Sequence, residues 1–369
     1  MEVAGQVDPA GRSGIGHAND SSGVLHMNEN ATTDTSETSD TSDTSDTSET
    51  SDTAKDLPAS TGEPAARPTH GIVVGYDASA ASVLALDWAV ETARERGRPL
   101  TIVHGMSTAG TGFPAMDLAQ AQPIFEQTAR EILAEGAQRA AKSLEVSQIE
   151  TQYWLGSPAG QIIEASRDAE LVVVGSRGRG RILGGLLGST SYAVAAHAHC
   201  PVVVVRSGVG EDVEDLPRPS RPGADHPVVV GSDGSPASER AVDAAADVAE
   251  QSAARLRIVH VAQPVIPSTW TVIEAGAGGA GLEDPEVILG WARESVEQEG
   301  GRVRTAHPSL DVTTEALWGD PGSLLAQLGA DAGLIVVGSR GRGGFTGMLL
   351  GSVSHRVIHD ASCPVMVVR

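Results

Sequence analysis

Residues 171–189 read LVVVGSRGRGRILGGLLGS and residues 334–352 read LIVVGSRGRGGFTGMLLGS. Each stretch opens on a strand-length apolar run rich in β-branched residues. It then breaks into a glycine-rich loop and closes on Gly-Ser. The spacing is identical: Gly175 and Gly178, nine residues, then Gly188-Ser189; Gly338 and Gly341, nine residues, then Gly351-Ser352. A strand that runs straight into such a loop belongs to an α/β fold, and its recurrence makes the chain a duplication.

The repeat extends outward from these loops. Gly75-Tyr76-Asp77-Ala78-Ser79 returns as Gly231-Ser232-Asp233-Gly234-Ser235, and His104 as His260, both at an offset of 156. Gly156-Ser157-Pro158 returns as Gly319-Asp320-Pro321, and Cys200-Pro201 as Cys363-Pro364, at an offset of 163. The extra seven residues fall between His260 and Gly319, where Gly276–Gly281 is almost all glycine and alanine. Copies of this length are domains rather than solenoid units.

Within a copy, the apolar runs Ile72–Val74, Leu100–Val103, Leu171–Val174 and Val202–Val205 alternate with helical stretches at Ser82–Arg96, Pro123–Leu144 and Pro158–Arg167. Several runs are apolar at consecutive positions, the mark of a parallel sheet covered on both faces. Ser157-Pro158 and Asp320-Pro321 read as an N-cap followed by proline at the first helical position. The order predicts two tandem doubly wound, Rossmann-like domains, each with a five-stranded parallel sheet. Their boundaries are expected at 70–206 and 226–369, joined by a proline-rich acidic linker over 207–225. Ligands in such folds sit at the carboxyl ends of strands.

Residues 1–69 are expected to be a disordered tail. Between Thr32 and Thr53 they run through near-tripeptides of Asp/Glu-Thr-Ser, with nothing apolar to bury. The tail holds 13 acidic and 3 basic side chains, so −12 of the chain's net −22 falls on the rest of the 369 residues. It reads as a solvating extension or a phosphorylated acidic tail, and Met27 would serve equally well as a start. The acidity argues against a nucleic-acid binder. No apolar run approaches the length of a membrane span, no signal pattern opens the chain, and two cysteines exclude a disulfide framework. A cytoplasmic protein is expected.

Glycines let a backbone turn tightly and approach a ligand closely. Gly188-Ser189 and Gly351-Ser352 should each open a helix, whose free amides and dipole favour an anion. Arg177, Arg179 and Arg181, with Arg340 and Arg342, bring positive charge to these loops, and arginine suits phosphate. A solvated surface turn is the plainer alternative. The loop lacks Gly-Lys-Ser/Thr, so it is no P-loop. It follows the fourth strand rather than the first, which argues against NAD.

The pattern Gly-x2-Gly-x9-Gly-Ser after the fourth strand resembles the ATP-binding signature of the universal stress protein family. The Asp after the first strand and the closing Cys-Pro-Val strand agree with it. The resemblance covers 70–206 and 226–369, and is closer in the second copy. It implies that Asp77 and Asp233 contact the adenosine part of ATP or another adenine nucleotide, and that Gly105 and Val261 meet adenine through the main chain. It implies a phosphate loop at Gly175, Gly178, Gly188 and Ser189, and at Gly338, Gly341, Gly351 and Ser352, with Mg as the nucleotide's counter-ion. Gly105 departs from the usual Val and loses packing against adenine, and the first copy has Tyr76 and Ala78 where the second has Ser232 and Gly234.

No catalytic set and no protein metal site can be traced. The single Asp of each site is already assigned, although it could instead cap the following helix. His104 and His260 end apolar strands and read as core-edge residues. His197 and His199 precede Cys200 without counterparts of the same pattern at His359, so zinc is not expected. Cys200 and Cys363 read as small half-buried hydrophobes. Three readings stay open: a nucleotide-binding regulatory module with slow or absent hydrolysis, an ATPase or other nucleotide α-hydrolase, and a scaffold with vestigial sites. The last strands, Val202–Val205 and Val365–Val368, are expected at sheet edges, where unpaired apolar edges invite association. They should pair the two copies about a pseudo-two-fold axis, with a homodimer and an unidentified regulatory protein as further partners.

Overall fold

Gly71–Gly75 forms β1, buried on both faces, and Ser79 ends the following turn by accepting a hydrogen bond from the Ser82 amide, which starts α1 at Ala80–Arg96. The first copy continues through β2 (Leu100–Met106), α2 (Leu118–Ala140), β3 (Ile149–Leu155), α3 (Pro158–Ala165), β4 (Ala169–Gly175), α4 (Ser189–His197) and β5 (Val202–Val205). The second repeats it: β6 (Val228–Gly231), α5 (Pro236–Gln251), β7 (Leu256–Ala262), α6 (Pro285–Ala306), β8 (Val312–Trp318), α7 (Pro321–Leu328), β9 (Leu334–Gly338), α8 (Ser352–Asp360) and β10 (Val365–Val368). This computed structural model describes residues 70–106, 118–178, 187–206, 218–263, 284–341 and 349–369. The tail, the Gly276–Gly281 insertion, residues 207–217 of the linker, and Arg179, Arg181 and Arg342 lie outside the described residues.

Ser157 and Asp320 cap α3 and α7 with proline at the first helical position, as their order in the sequence predicts. Three helices differ from expectation at their ends, the third, α3, stopping at Ala165 with Ser166 as its C-cap instead of reaching Arg167. The first starts at Ala80 because the cap is Ser79. The second runs Leu118–Ala140, and residues 141–144 close it in turns, the Leu144 amide still bonding to the Ala140 carbonyl.

All ten strands form one sheet, in the order β3-β2-β1-β4-β5-β10-β9-β6-β7-β8. Pairing is parallel within each copy. The copies meet where β5 runs antiparallel to β10, with Val202, Val203 and Val204 opposite Val367, Met366 and Val365. Val203 and Met366 are counterparts, 163 residues apart, so the pseudo-two-fold axis passes between them. The two last strands are therefore edges of their own five-stranded sheets and interior strands of the joint one.

Alternation of side chains across the joined strands builds two cores. Ile72, Val74, Val203, Val205, Val230, Met366 and Val368 face one side. Val73, Val202, Val204, Val229, Val365 and Val367 face the other. Each core takes residues from both copies, so the two copies pack together as one body. Outside the sheet, Arg221 of the linker stacks over Trp88 at 5.0 Å and donates to the Trp88 carbonyl and to Glu95. No described helix is long and apolar enough to cross a membrane.

Candidate functional site

In each copy the chain leaves its first strand toward one edge of the sheet and returns to the fourth strand on the other side. A crevice therefore opens at the carboxyl ends of β1 and β4, and of β6 and β9, as the doubly wound topology requires. The first crevice is a cavity of about 290 Å³ and the second one of about 430 Å³. The first is lined by Asp77, Gly105, Gly175, Gly178, Gly188 and Ser189, together with Arg177. Asp233, Val261, Gly338, Gly341, Gly351, Ser352 and Arg340 line the second. Every sequence-predicted site residue that falls among the described residues thus lies in one of the two cavities.

The Asp turns are built alike. Asp77 accepts hydrogen bonds through Oδ1 from the Ser79 amide at 3.0 Å and from its hydroxyl at 2.5 Å, and Asp233 accepts from the Ser235 amide at 3.0 Å. The helix caps are Ser79 and Ser235, not the aspartates, so the capping alternative for Asp77 and Asp233 is corrected. Behind each turn a serine that sequence reasoning missed completes the scaffold. Ser82 accepts from the Asp77 amide at 3.2 Å and donates to the Ser79 carbonyl; Ser238 does the same for Asp233 and Ser235. Ser-x-x-Ser after the Asp, present in both copies, was the available signal.

The loop glycines divide by role. A Cβ on Gly175 would fall 2.6 Å from the Ala81 carbonyl carbon, and one on Gly338 would fall 3.0 Å from that of Ala237. These two let the start of the helix after the first strand, α1 or α5, pack against the end of β4 or β9. A Cβ on Gly178 would stand 2.9 Å from Asp77 Oδ2, and one on Gly341 would overlap Asp233 Oδ2. These two draw loop and Asp together across the cavity mouth.

Gly188 and Gly351 are the N-caps of α4 and α8, and neither supplies a side-chain cap. Both helices therefore present their first amides, with the positive end of the dipole, to the cavity. Ser191 and Ser354, one turn in, hold the arrangement: Ser191 donates to the Gly175 carbonyl at 2.5 Å and Ser354 to that of Ser339 at 3.1 Å.

The two cavities differ where the sequences differ. A Cβ on Gly105 would lie 2.5 Å from Pro158 Cα, so the first copy needs glycine where the second has Val261. Tyr76 donates its hydroxyl to Glu135 at 3.0 Å, and burial with that acceptor holds the phenol protonated. In the second copy Ser232 donates to Glu299 instead, and burial pushes the Glu299 carboxyl above its ordinary range although that bond pulls the other way. Ala78 sits at φ 59°, a left-handed conformation that its counterpart Gly234 (φ 70°) adopts without a Cβ penalty.

His104 lines the first cavity but is committed to structure, its Nδ1 lying 2.8 Å from the Tyr76 carbonyl. Cys200 and Cys363 are buried rather than half-buried, and desolvation pushes both thiols up to about 12. Among the described residues no three His, Cys, Asp or Glu side chains group as metal ligands.

The model of the universal stress protein family matches residues 69–206 and again 226–369. The chain belongs to the universal stress protein family. A universal stress protein of Mycobacterium tuberculosis (Rv2005c) is 35% identical over 309 residues, which cover 82% of this chain and 98% of that one. The crystal structure of a universal stress protein from Archaeoglobus fulgidus shares the fold over 80% of this chain and 95% of its own, with a TM-score of 0.55 at 23% identity. A universal stress protein solved in complex with cAMP aligns over 39% of this chain and 96% of its own, at 29% identity and a TM-score of 0.28. The two family matches coincide with the two copies, so this is a tandem universal stress protein with both modules in one chain.

Proposed function

We propose that this tandem universal stress protein binds an adenine nucleotide, ATP foremost, in each of its two cavities and acts as a nucleotide-dependent regulatory module. The observation that carries the reading is convergence. An Asp after the first strand, the residue after the second-strand His, a Gly-x2-Gly loop with its arginine and an uncapped Gly-Ser helix start all line one cavity, twice.

Each part has a chemical task. Asp77 and Asp233 are fixed on their turns through Oδ1, and their carboxylates would accept from the hydroxyls of a ribose. The carbonyl and amide of Gly105 or Val261 read the edge of adenine, and Val261 adds an apolar side chain beneath it. The amides at Gly188-Ser189 and Gly351-Ser352 take phosphate oxygens, with Arg177 and Arg340 offsetting the charge. Arg179 and Arg342 belong to the same loops and are assigned the same role. Mg would travel with the phosphates as a counter-ion.

Hydrolysis is slow or absent in this reading. Phosphoryl transfer to water requires a group that positions the water, and the Asp of each cavity is spoken for. The runner-up is an ATPase or another nucleotide α-hydrolase, and the third reading is a scaffold with vestigial sites. Occupancy would order the glycine loop, and a partner protein would read that order. The composition supports action in the cytoplasm.

The test is to denature the purified full chain, identify any released nucleotide by mass spectrometry and titrate the stripped protein with ATP. A nucleotide in each cavity, lost one site at a time in Gly178→Ala and Gly341→Ala, supports the reading. ADP alone with measurable turnover favours the ATPase. Absence of binding leaves the scaffold.

A further inference from the structure

α4 and α8 begin at the cavities and end on the far side, where their last carbonyls have no amide of their own helix to accept from. An arginine from the opposite copy fills each position. Arg206, the residue after β5, donates through Nη1 to the carbonyls of Ile358, at 3.1 Å, and His359, in the last turn of α8. Arg369, the residue after β10, donates to the carbonyls of Ala196 and, at 3.4 Å, Ala198 at the end of α4. Arg206 and Arg369 are counterparts 163 residues apart, so the grip is reciprocal. On the pseudo-two-fold axis Tyr192 of α4 meets its counterpart His355 of α8 edge-on, ring centroids 5.7 Å apart.

The residue just before each arginine is tied to its own glycine loop. The Ser176 amide donates to the Val205 carbonyl at 2.8 Å, and the Ser339 amide to that of Val368 at 2.6 Å. Arg206 is thus one residue from a contact with the loop of cavity one, and grips the helix that opens at cavity two. Arg369 does the reverse.

We propose that Arg206 and Arg369 are positioning residues that couple the two cavities, each transmitting the charge state of its own glycine loop to the Gly-Ser helix of the other copy. The helix-end grip is favourable because a cation is placed at the negative end of a dipole. It is opposed by burial and by a like charge: Arg177 lowers the proton affinity of Arg206, and Arg340 that of Arg369. An anion held on the loop by Arg177 offsets that repulsion. Arg206 then holds α8 more firmly, and α8 presents better-ordered amides at Gly351-Ser352. Linkage makes the effect mutual, so filling either cavity tightens the other, by about three- to tenfold for a half-buried cation at a helix end. The identity of the anion rests on the nucleotide reading; the crossed connection does not.

Hydrogen exchange on the full chain tests the connection first. Arg206→Gln should speed exchange several-fold in α8 and leave α4 protected; Arg369→Gln should do the opposite, and Arg206→Lys should fall between wild type and Gln. Faster exchange in the variant's own copy alone, in both helices equally, or in neither overturns the proposal. ATP titration then tests the coupling. In an otherwise wild-type chain, Gly178→Ala should weaken ATP binding at cavity two by about three- to tenfold, and this secondary loss should vanish when Arg206→Gln is also present. A loss that persists in the double variant overturns the coupling. If wild type binds no ATP, the nucleotide reading falls, and the exchange pattern alone decides whether the arginines link the copies.

Discussion

The carboxylate of Asp77 lies against the α-carbon of Gly178, so close that a Cβ there would stand 2.9 Å from Oδ2. Asp233 and Gly341 repeat the contact more tightly. Gly178→Ala and Gly341→Ala must therefore push the loop off the Asp. Because Gly178 and Gly341 are themselves exposed, the displacement costs the fold little. We expect nucleotide affinity at the altered cavity to fall at least about tenfold, or ~1.4 kcal/mol, with Gly341→Ala the more severe. Calorimetric titration of each variant checks this, and unchanged affinity would remove the Asp–loop contact from the site.

Restoring valine to the first copy should fail. Gly105 sits against Pro158, and Gly105→Val forces side-chain atoms into that ring. Overpacking of this kind costs about 1–3 kcal/mol, measurable as a lower denaturant midpoint. Val261→Gly should show the converse pattern, with a weaker nucleotide at cavity two.

Val367 faces Val202 across the junction and is 1% exposed. A lysine there buries an unpaired ammonium between the copies, which costs about 3–5 kcal/mol. Val367→Lys should unfold at markedly lower denaturant and sediment with a larger hydrodynamic radius. An unchanged radius and midpoint would mean that the β5–β10 pairing contributes little to holding the copies together.

Glu299 carries a raised carboxyl pKa in the folded chain because it is buried. A carboxyl whose folded value lies above its unfolded one destabilises the native state once ionised. Its contribution is best below the unfolded value and is lost as pH rises through the folded one. Glu299→Gln, which keeps an acceptor for Ser232, should therefore raise stability at neutral pH, with the gain shrinking as pH falls toward 4.5. Urea midpoints of both proteins across that range supply the check. A gain that grows on acidification would reverse the assignment.

Much of this molecule is legible in the chain alone. Consecutive β-branched residues make Ile72–Val74 and Leu171–Val174 strands buried on two faces, and local capping starts α3 and α7 at Pro158 and Pro321. The duplicated Gly-x2-Gly-x9-Gly-Ser spacing marks the loops, because backbone geometry and helix starts are short-range matters written in nearby residues. The resemblance these motifs carry assigned Asp77 and Asp233 to a ligand.

Other features needed tertiary structure, because they depend on groups distant in sequence. Gly105 reads as a lost packing contact until Pro158, 53 positions later, is seen pressing on it. Gly175 reads as a phosphate glycine until its α-carbon is found against Ala81. Ser82 and Ser191 look like ordinary helix residues until their hydroxyls are seen fastening the Asp turn and the strand end. Arg206 and Arg369 look like the polar ends of apolar strands. That each reaches the helix of the other copy follows only from the antiparallel register of β5 and β10, which is set by packing 163 residues apart and not by any local propensity.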